Sequence, residues 1–200
     1  MKTLRLLLVI SGVLFLITAC ELNEDPIIED NFIESNFQSK TAKQKELPYK
    51  AKMFTRPAEG TPTGDCPSAN SPTNFWRPEH QVGNGNATHL GNFTTDLKFC
   101  FHIVLNEQGM PDFANGMGEF TGGASAIEAN NGDLLYTKGR GSQVMPIQDD
   151  IYILEFFHVV DITGGTGRFE NASGQFVNHG MVRADGTGTD HTQEGIIILK

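Results

Sequence analysis

From Leu47 onward, apolar residues recur at every second position and turn residues interrupt them roughly every ten positions, the spacing of short strands. Phe99, Phe101, Ile103 and Leu105 alternate with Lys98, Cys100, His102 and Val104, as a strand with one dry face requires. The same reading predicts strands at 49–56, 80–83, 89–93, 98–105, 118–128, 134–139, 151–163, 174–183 and 194–199. Asn130-Asn131-Gly132-Asp133 joins two of them, and its Asn-Gly pair predicts a type I′ hairpin turn. Helical periodicity is nearly absent. An all-β sandwich or barrel follows, and about 150 residues supply one such core but not two.

Two stretches depart from simple alternation. Along 151–162 apolar residues occupy both parities: Tyr152, Leu154, Phe156, Val160 and Ile162 on one side, Ile151, Ile153, Phe157 and Val159 on the other. Such a strand is expected to be covered on both faces, by a barrel interior on one and by a neighbouring chain or the N-terminal segment on the other. The run Ile162-Thr163-Gly164-Gly165-Thr166-Gly167-Arg168-Phe169-Glu170-Asn171-Ala172-Ser173-Gly174 has the look of a phosphate loop. A dinucleotide G-x-G-x-x-G pattern begun at Gly165 puts Glu170 in place of the third glycine, and no Gly-Lys-Ser/Thr follows. The run is instead read as a strand-to-strand corner, because Gly174-Gln175-Phe176-Val177-Asn178 after it reads as a strand.

The first 46 residues carry a different pattern. Lys2 and Arg5 precede an apolar run from Leu6 to Ile17, and Thr18-Ala19 supply small residues before Cys20, so 1–19 reads as an export signal that is removed. Leu16-Ile17-Thr18-Ala19-Cys20 resembles the bacterial lipobox, which implies lipidation of Cys20 and anchoring to an envelope membrane, outer membrane included. Residues 20–46 then form a flexible tether with acids at its front (Glu21, Glu24, Asp25, Glu29, Asp30, Glu34) and no apolar stripe. That acidic cluster resembles the surface-export signal of some lipoproteins, so the domain 47–200 is expected to face either the periplasm or the exterior. The whole chain has a formal charge of −9, and loss of 1–19 leaves 13 basic against 24 acidic side chains, or −11. This charge excludes a nucleic-acid footprint and a polybasic lipid patch.

With the strands placed, the Gly run is similar to the Gly-Gly-Thr-Gly-x-Phe-x-x-Ala-x-Gly signature of the allene oxide cyclase barrel-like superfamily, which also holds the plant dirigent proteins. Gly85-Asn86-Ala87-Thr88-His89-Leu90-Gly91-Asn92-Phe93-Thr94 resembles a strand of uncharacterised envelope lipoproteins in that group, and Asn130-Asn131-Gly132-Asp133 resembles the turn between the two segments. The resemblance implies an eight-stranded antiparallel β-barrel whose interior can hold a small, largely apolar molecule, with Gly164, Gly165, Gly167 and Gly174 at a sharp corner on the barrel rim and Phe169 plugging that end, and it makes a homo-oligomer an expectation. No catalytic set transfers, because no motif surrounds counterparts of the cyclase or dirigent polar residues.

Read directly, Glu155 is the foremost ionisable candidate, since it stands within the most apolar strand. It is weighed between a lumen role, a structural pair with Arg140 or Lys138, and an outward position. His102, His158 and Asn178 are the other candidates for lining a ligand cavity. Cys66 and Cys100 remain after Cys20, and an oxidising compartment permits them to bridge or to stay separate. No Ser-His-Asp order, paired-carboxylate motif, metal spacing or cofactor fingerprint is present. The expected function is binding of a small hydrophobic or aromatic ligand without catalysis. The rivals are a cyclase-like or isomerase-like enzyme that confines its substrate, and a structural lipoprotein with a packed barrel.

Overall fold

A computed structural model describes residues 45–200. The signal, Cys20 and all but the last two residues of the tether lie outside the described residues. The strands are β1 (Lys45–Pro57), β2 (Asn74–Ala87), β3 (Gly91–Val104), β4 (Glu119–Phe120), β5 (Ala124–Ala129), β6 (Leu134–Gly139), β7 (Ser142–Gln143), β8 (Met145–Pro146), β9 (Tyr152–Gly165), β10 (Ser173–Arg183) and β11 (Thr189–Leu199). Eight of these close an antiparallel barrel in the order β1-β2-β3-β5-β6-β9-β10-β11 and back to β1. Closure leaves no free edge along the circuit, which is how such sheets avoid edge-to-edge association. The short strands β4, β7 and β8 hang on one end of it.

The two ends are built differently. At one, β2–β3, β5–β6 and β9–β10 are joined by tight corners; at the other, β1–β2, β3–β5 and β6–β9 are joined by long connections. All three motifs singled out in the sequence lie at the first end. Its interior is a continuous apolar core with Tyr49, Phe93, Leu135, Phe169, Phe176 and Ile197 almost completely buried. Phe169 follows the Gly run on a short 3₁₀ turn (Gly167–Phe169) and fills this end, while Arg168 lies outside against its ring. Gly167 adopts φ +54°, and a side chain there would run into the Asp133 carboxylate, which accepts the Arg168 N–H at 3.3 Å. The Gly corner and the Asn-Gly hairpin are thus one interlocked unit.

Several strand expectations change. The segment 80–83 is the middle of the fourteen-residue β2, and 89–93 straddles a hairpin. Thr88, His89 and Leu90 form its turn, with His89 at φ +68° and both Thr88 Oγ1 and His89 Nε2 bonded to the Pro48 carbonyl. The expected strand 118–128 is broken at 121–123 into β4 and β5. The Asn130–Asp133 turn is not type I′, because only Gly132 has positive φ (+84°). Gly132 N–H donates to Ala129 O and Ala129 N–H to Asp133 O, a type I turn closed by a left-handed glycine. Strand β9 presents Leu154, Phe156, His158, Val160 and Ile162 inward, but its outer face is not covered: Ile153 and Phe157 are about half exposed (47% and 54%).

Candidate functional site

The lumen is not packed along its full length. From the middle of the barrel to the end with the long connections it holds a cavity of about 360 Å³. Strand parity decides what lines it. Thr55 of β1, Gln81 of β2, Thr95 of β3, His158 of β9, Asn178 of β10, and His191 and Gln193 of β11 all point inward at one level, forming a polar floor above the apolar core. Above them stand Phe99, Phe101, Phe120, Phe156, Leu154 and Val182, and Arg77 and Glu79 pair at 2.6 Å on the rim. Gly180 sits beside Phe156, and a methyl group there would overlap the ring, so glycine lets the aromatic lie flat on the wall.

Buried polar side chains are costly unless bonded to one another, and those of the floor are. Tyr49 is fully buried and its hydroxyl reaches only Gln193 Oε1, at 3.2 Å. A phenol proton there must donate, and this sets the direction of the chain of bonds. Gln193 Nε2 donates to Asn178 Oδ1 at 3.1 Å, and Asn178 Nδ2 donates to His158 Nε2 at 3.1 Å and His191 Nδ1 at 3.2 Å. His191 Nε2–H then donates to Thr55 Oγ1 at 3.0 Å, and the Thr55 hydroxyl to Gln81 Oε1 at 3.0 Å. Both imidazoles are therefore neutral, with His191 protonated on Nε2 and His158 on Nδ1. Burial acts the same way: it pushes His158 down to about 4, and His191, with His158 as a smaller repulsive neighbour, to about 3. Burial also drives the Tyr49 phenol well above its ordinary range.

The four candidate lumen residues divide evenly. His158 and Asn178 belong to the floor. Glu155 does not: it has the parity opposite to Leu154 and Phe156, faces outward, and meets His179 at 3.2 Å. Of the positions weighed for it, the structure has the outward one, and Arg140, weighed as a partner, instead bonds both oxygens of Asp161, at 2.7 and 2.9 Å. His102 also faces outward from β3, stacked on Trp76 with ring centres 4.5 Å apart and bonded to Asn74 at 2.8 Å. Strand β9 carries apolar residues on both faces, so hydrophobicity does not say which of its parities points in, whereas His102 stands on the polar parity of the alternating β3, and that parity is the outer one. Gly164, Gly165, Gly167, Phe169 and Gly174 all belong to the corner and stand at the other end from the cavity. Cys66 and Cys100 are joined by a disulfide, Cα atoms 5.7 Å apart, tying the β1–β2 connection to the outer face of β3.

The sequence pattern does not single out Thr55, Gln81, Thr95, His191 or Gln193. Thr189-Asp190-His191-Thr192-Gln193 is polar at every position, so it shows no alternation, and the expected last strand starts only at Glu194. The available signal was the pairing of β11 with β1, which puts Gln193 beside Ala51 and His191 beside Met53. Comparison with family models, with curated proteins and with solved structures finds no match to this chain.

Proposed function

We propose that this is a lipid-anchored bacterial envelope protein whose barrel binds a small, uncharged, largely apolar or aromatic molecule without transforming it. The observation that carries the reading is the cavity of about 360 Å³, walled by aromatic rings and closed below by a floor of neutral, mutually bonded side chains. A space of that size and lining suits a compact apolar guest. The membership implied by the three motifs, a cyclase- and dirigent-like barrel, supports the same reading. The lipobox-like Leu-Ile-Thr-Ala-Cys supports the anchor, and replacing Cys20 by Ser is expected to abolish incorporation of labelled fatty acid.

The test is titration of an apolar aromatic such as fluorene onto the Cys20→Ser chain, which keeps every barrel residue. One saturable site is expected, weakened about tenfold or more when Val182→Phe fills the lumen. No saturable binding would defeat the reading. A confinement enzyme in the same lumen loses its foremost candidate acid, because Glu155 faces outward. An interaction role finds its own support on the outer face, where Ile153, Phe157, Val177 and Ile196 are exposed on neighbouring strands. If that face meets a second copy, sedimentation will show a dimer or larger, and Phe157→Lys will shift it to monomer.

A further inference from the structure

Strand β2 carries polarity up one wall of the lumen, from the floor to the mouth. Register sets its inward positions: Gln81 stands opposite Leu97, Glu79 opposite Phe99 and Arg77 opposite Phe101, and directly paired residues share a face. The three side chains follow one another about 7 Å apart along the strand. Across the lumen from them are Phe120, Phe156 and Leu154. Two of the three are only half engaged. Arg77 Nε donates to Glu79 Oε1 at 2.6 Å, which leaves Glu79 Oε2 without a hydrogen-bond partner among the described residues. Gln81 accepts from Thr55 through its oxygen, and its amide nitrogen has no partner among them. Both free atoms are reachable: the Glu79 side chain is 17% exposed, and neither Oε2 nor the Gln81 nitrogen is sealed off from solvent.

A guest that fills the lumen therefore meets a carboxylate oxygen and an amide N–H on neighbouring inward positions of one strand. Water satisfies both groups, and a guest that displaces it has to replace those bonds. A hydrocarbon leaves the carboxylate oxygen bare, and a charged group left without a partner is the costlier loss. A ketone gives the amide an acceptor but turns lone pairs toward the carboxylate. An ammonium ion meets the Arg77 guanidinium already seated against Glu79, and an anion meets Glu79 itself. A hydroxyl answers both groups. Its hydrogen goes to Glu79 Oε2 in a charge-assisted bond, and its oxygen accepts from Gln81 Nε2.

We propose that the lumen prefers apolar alcohols to hydrocarbons, ketones and ions, with Glu79 Oε2 accepting the guest hydroxyl and Gln81 Nε2 donating to it. This rests on the proposal that the lumen binds an uncharged, largely apolar guest, and adds to it the polar group that guest carries. The hydroxyl sits toward the mouth, on the β2 wall, and the apolar body lies among the rings.

Five ligands on one ring system separate the possibilities: 9-fluorenol, fluorene, fluorenone, 9-(aminomethyl)fluorene as its ammonium ion, and fluorene-9-carboxylate, titrated calorimetrically onto the Cys20→Ser chain at pH 7. Fluorenol is expected to bind about tenfold more tightly than fluorene, and more tightly than the other three. Glu79→Leu should bring fluorenol to within about twofold of fluorene, with fluorene bound no more weakly than before. Fluorene or fluorenone binding as tightly as fluorenol, or either ion binding most tightly, would overturn the hydroxyl assignment while leaving the lumen site standing. A fluorenol advantage that survives Glu79→Leu would overturn it too. Failure of all five to bind would remove the lumen site itself. If Glu79→Leu does not fold, the order of the five ligands on the Glu79 protein decides alone.

Discussion

The corner end and the cavity end of this barrel are made by the same eight strands, yet they differ in every respect that bears on function. At the corner end, turns that only glycine or a short polar residue makes comfortably bring the strands together over Phe169, Phe176 and Ile197, and side chains fill the interior. At the cavity end the connections are long, Phe120 and Val144 are carried in on them, and the rings of Phe99, Phe101 and Phe156 line space instead of one another. Between the two lies a polar layer that is neutral and almost fully bonded. The difference teaches that closure and contents are separately encoded: glycines and turn residues specify how the barrel ends, while the identity of a few inward residues specifies what it can hold.

The largest effect expected from this contrast is on stability. Phe169→Ala should cost about 3–5 kcal/mol, because a fully buried ring at the packed end leaves a void its neighbours cannot fill. Leu154→Ala, at the cavity end, should cost below about 2 kcal/mol, since that side chain already borders space. Urea unfolding of both variants measures the difference, and equal losses would break the distinction between the ends.

Next in size is an acid limb that belongs to the floor. His158 and His191 have folded pKa values near 4 and 3, below the ordinary 6.5, so between pH 6.5 and 4 the unfolded chain binds protons that the folded chain refuses. Stability should therefore fall as pH drops through that window, by about 1.4 kcal/mol per pH unit for each histidine. The carboxylates with depressed values, Asp161, Asp185 and Asp190, act in the same direction but only below about pH 3.8. His191→Leu should reduce the slope between pH 6.5 and 4, and an unchanged slope would place the titration elsewhere.

The smallest effect should come from Glu155→Gln. Its partner His179 is on the outer surface and both side chains are about a third exposed, so the change should shift stability by less than about 1 kcal/mol and leave apolar binding as it was. A loss of binding would return Glu155 to the lumen and undo the parity of β9.

These outcomes also mark how far the sequence could be read. The barrel was legible because its evidence is local: alternation along β3, an Asn-Gly turn, and a Gly corner whose residues are close in the chain. All of that lies in the strands and at the corner end. The floor was only half legible. His158 and Asn178 stood out as polar residues inside apolar strands, whereas His191 and Gln193 were hidden in a run with no apolar contrast, and Thr55 and Gln81 became site residues only through pairing across the sheet. Glu155 is not placed by its sequence, because a strand with apolar residues on both faces does not reveal which one is inside, whereas the alternation of β3 already sets His102 on the side away from Phe99 and Phe101. Register supplies that parity, and register is a property of the closed sheet.

The most direct test is a crystal of the Cys20→Ser chain held under xenon, which enters dry apolar cavities without needing a polar handle. Xenon density is expected in the lumen among Phe99, Phe156 and Val182, above the Asn178 layer, with none among Phe169, Phe176 and Ile197. A cavity end filled by its own side chains and free of xenon would contradict the container this account describes.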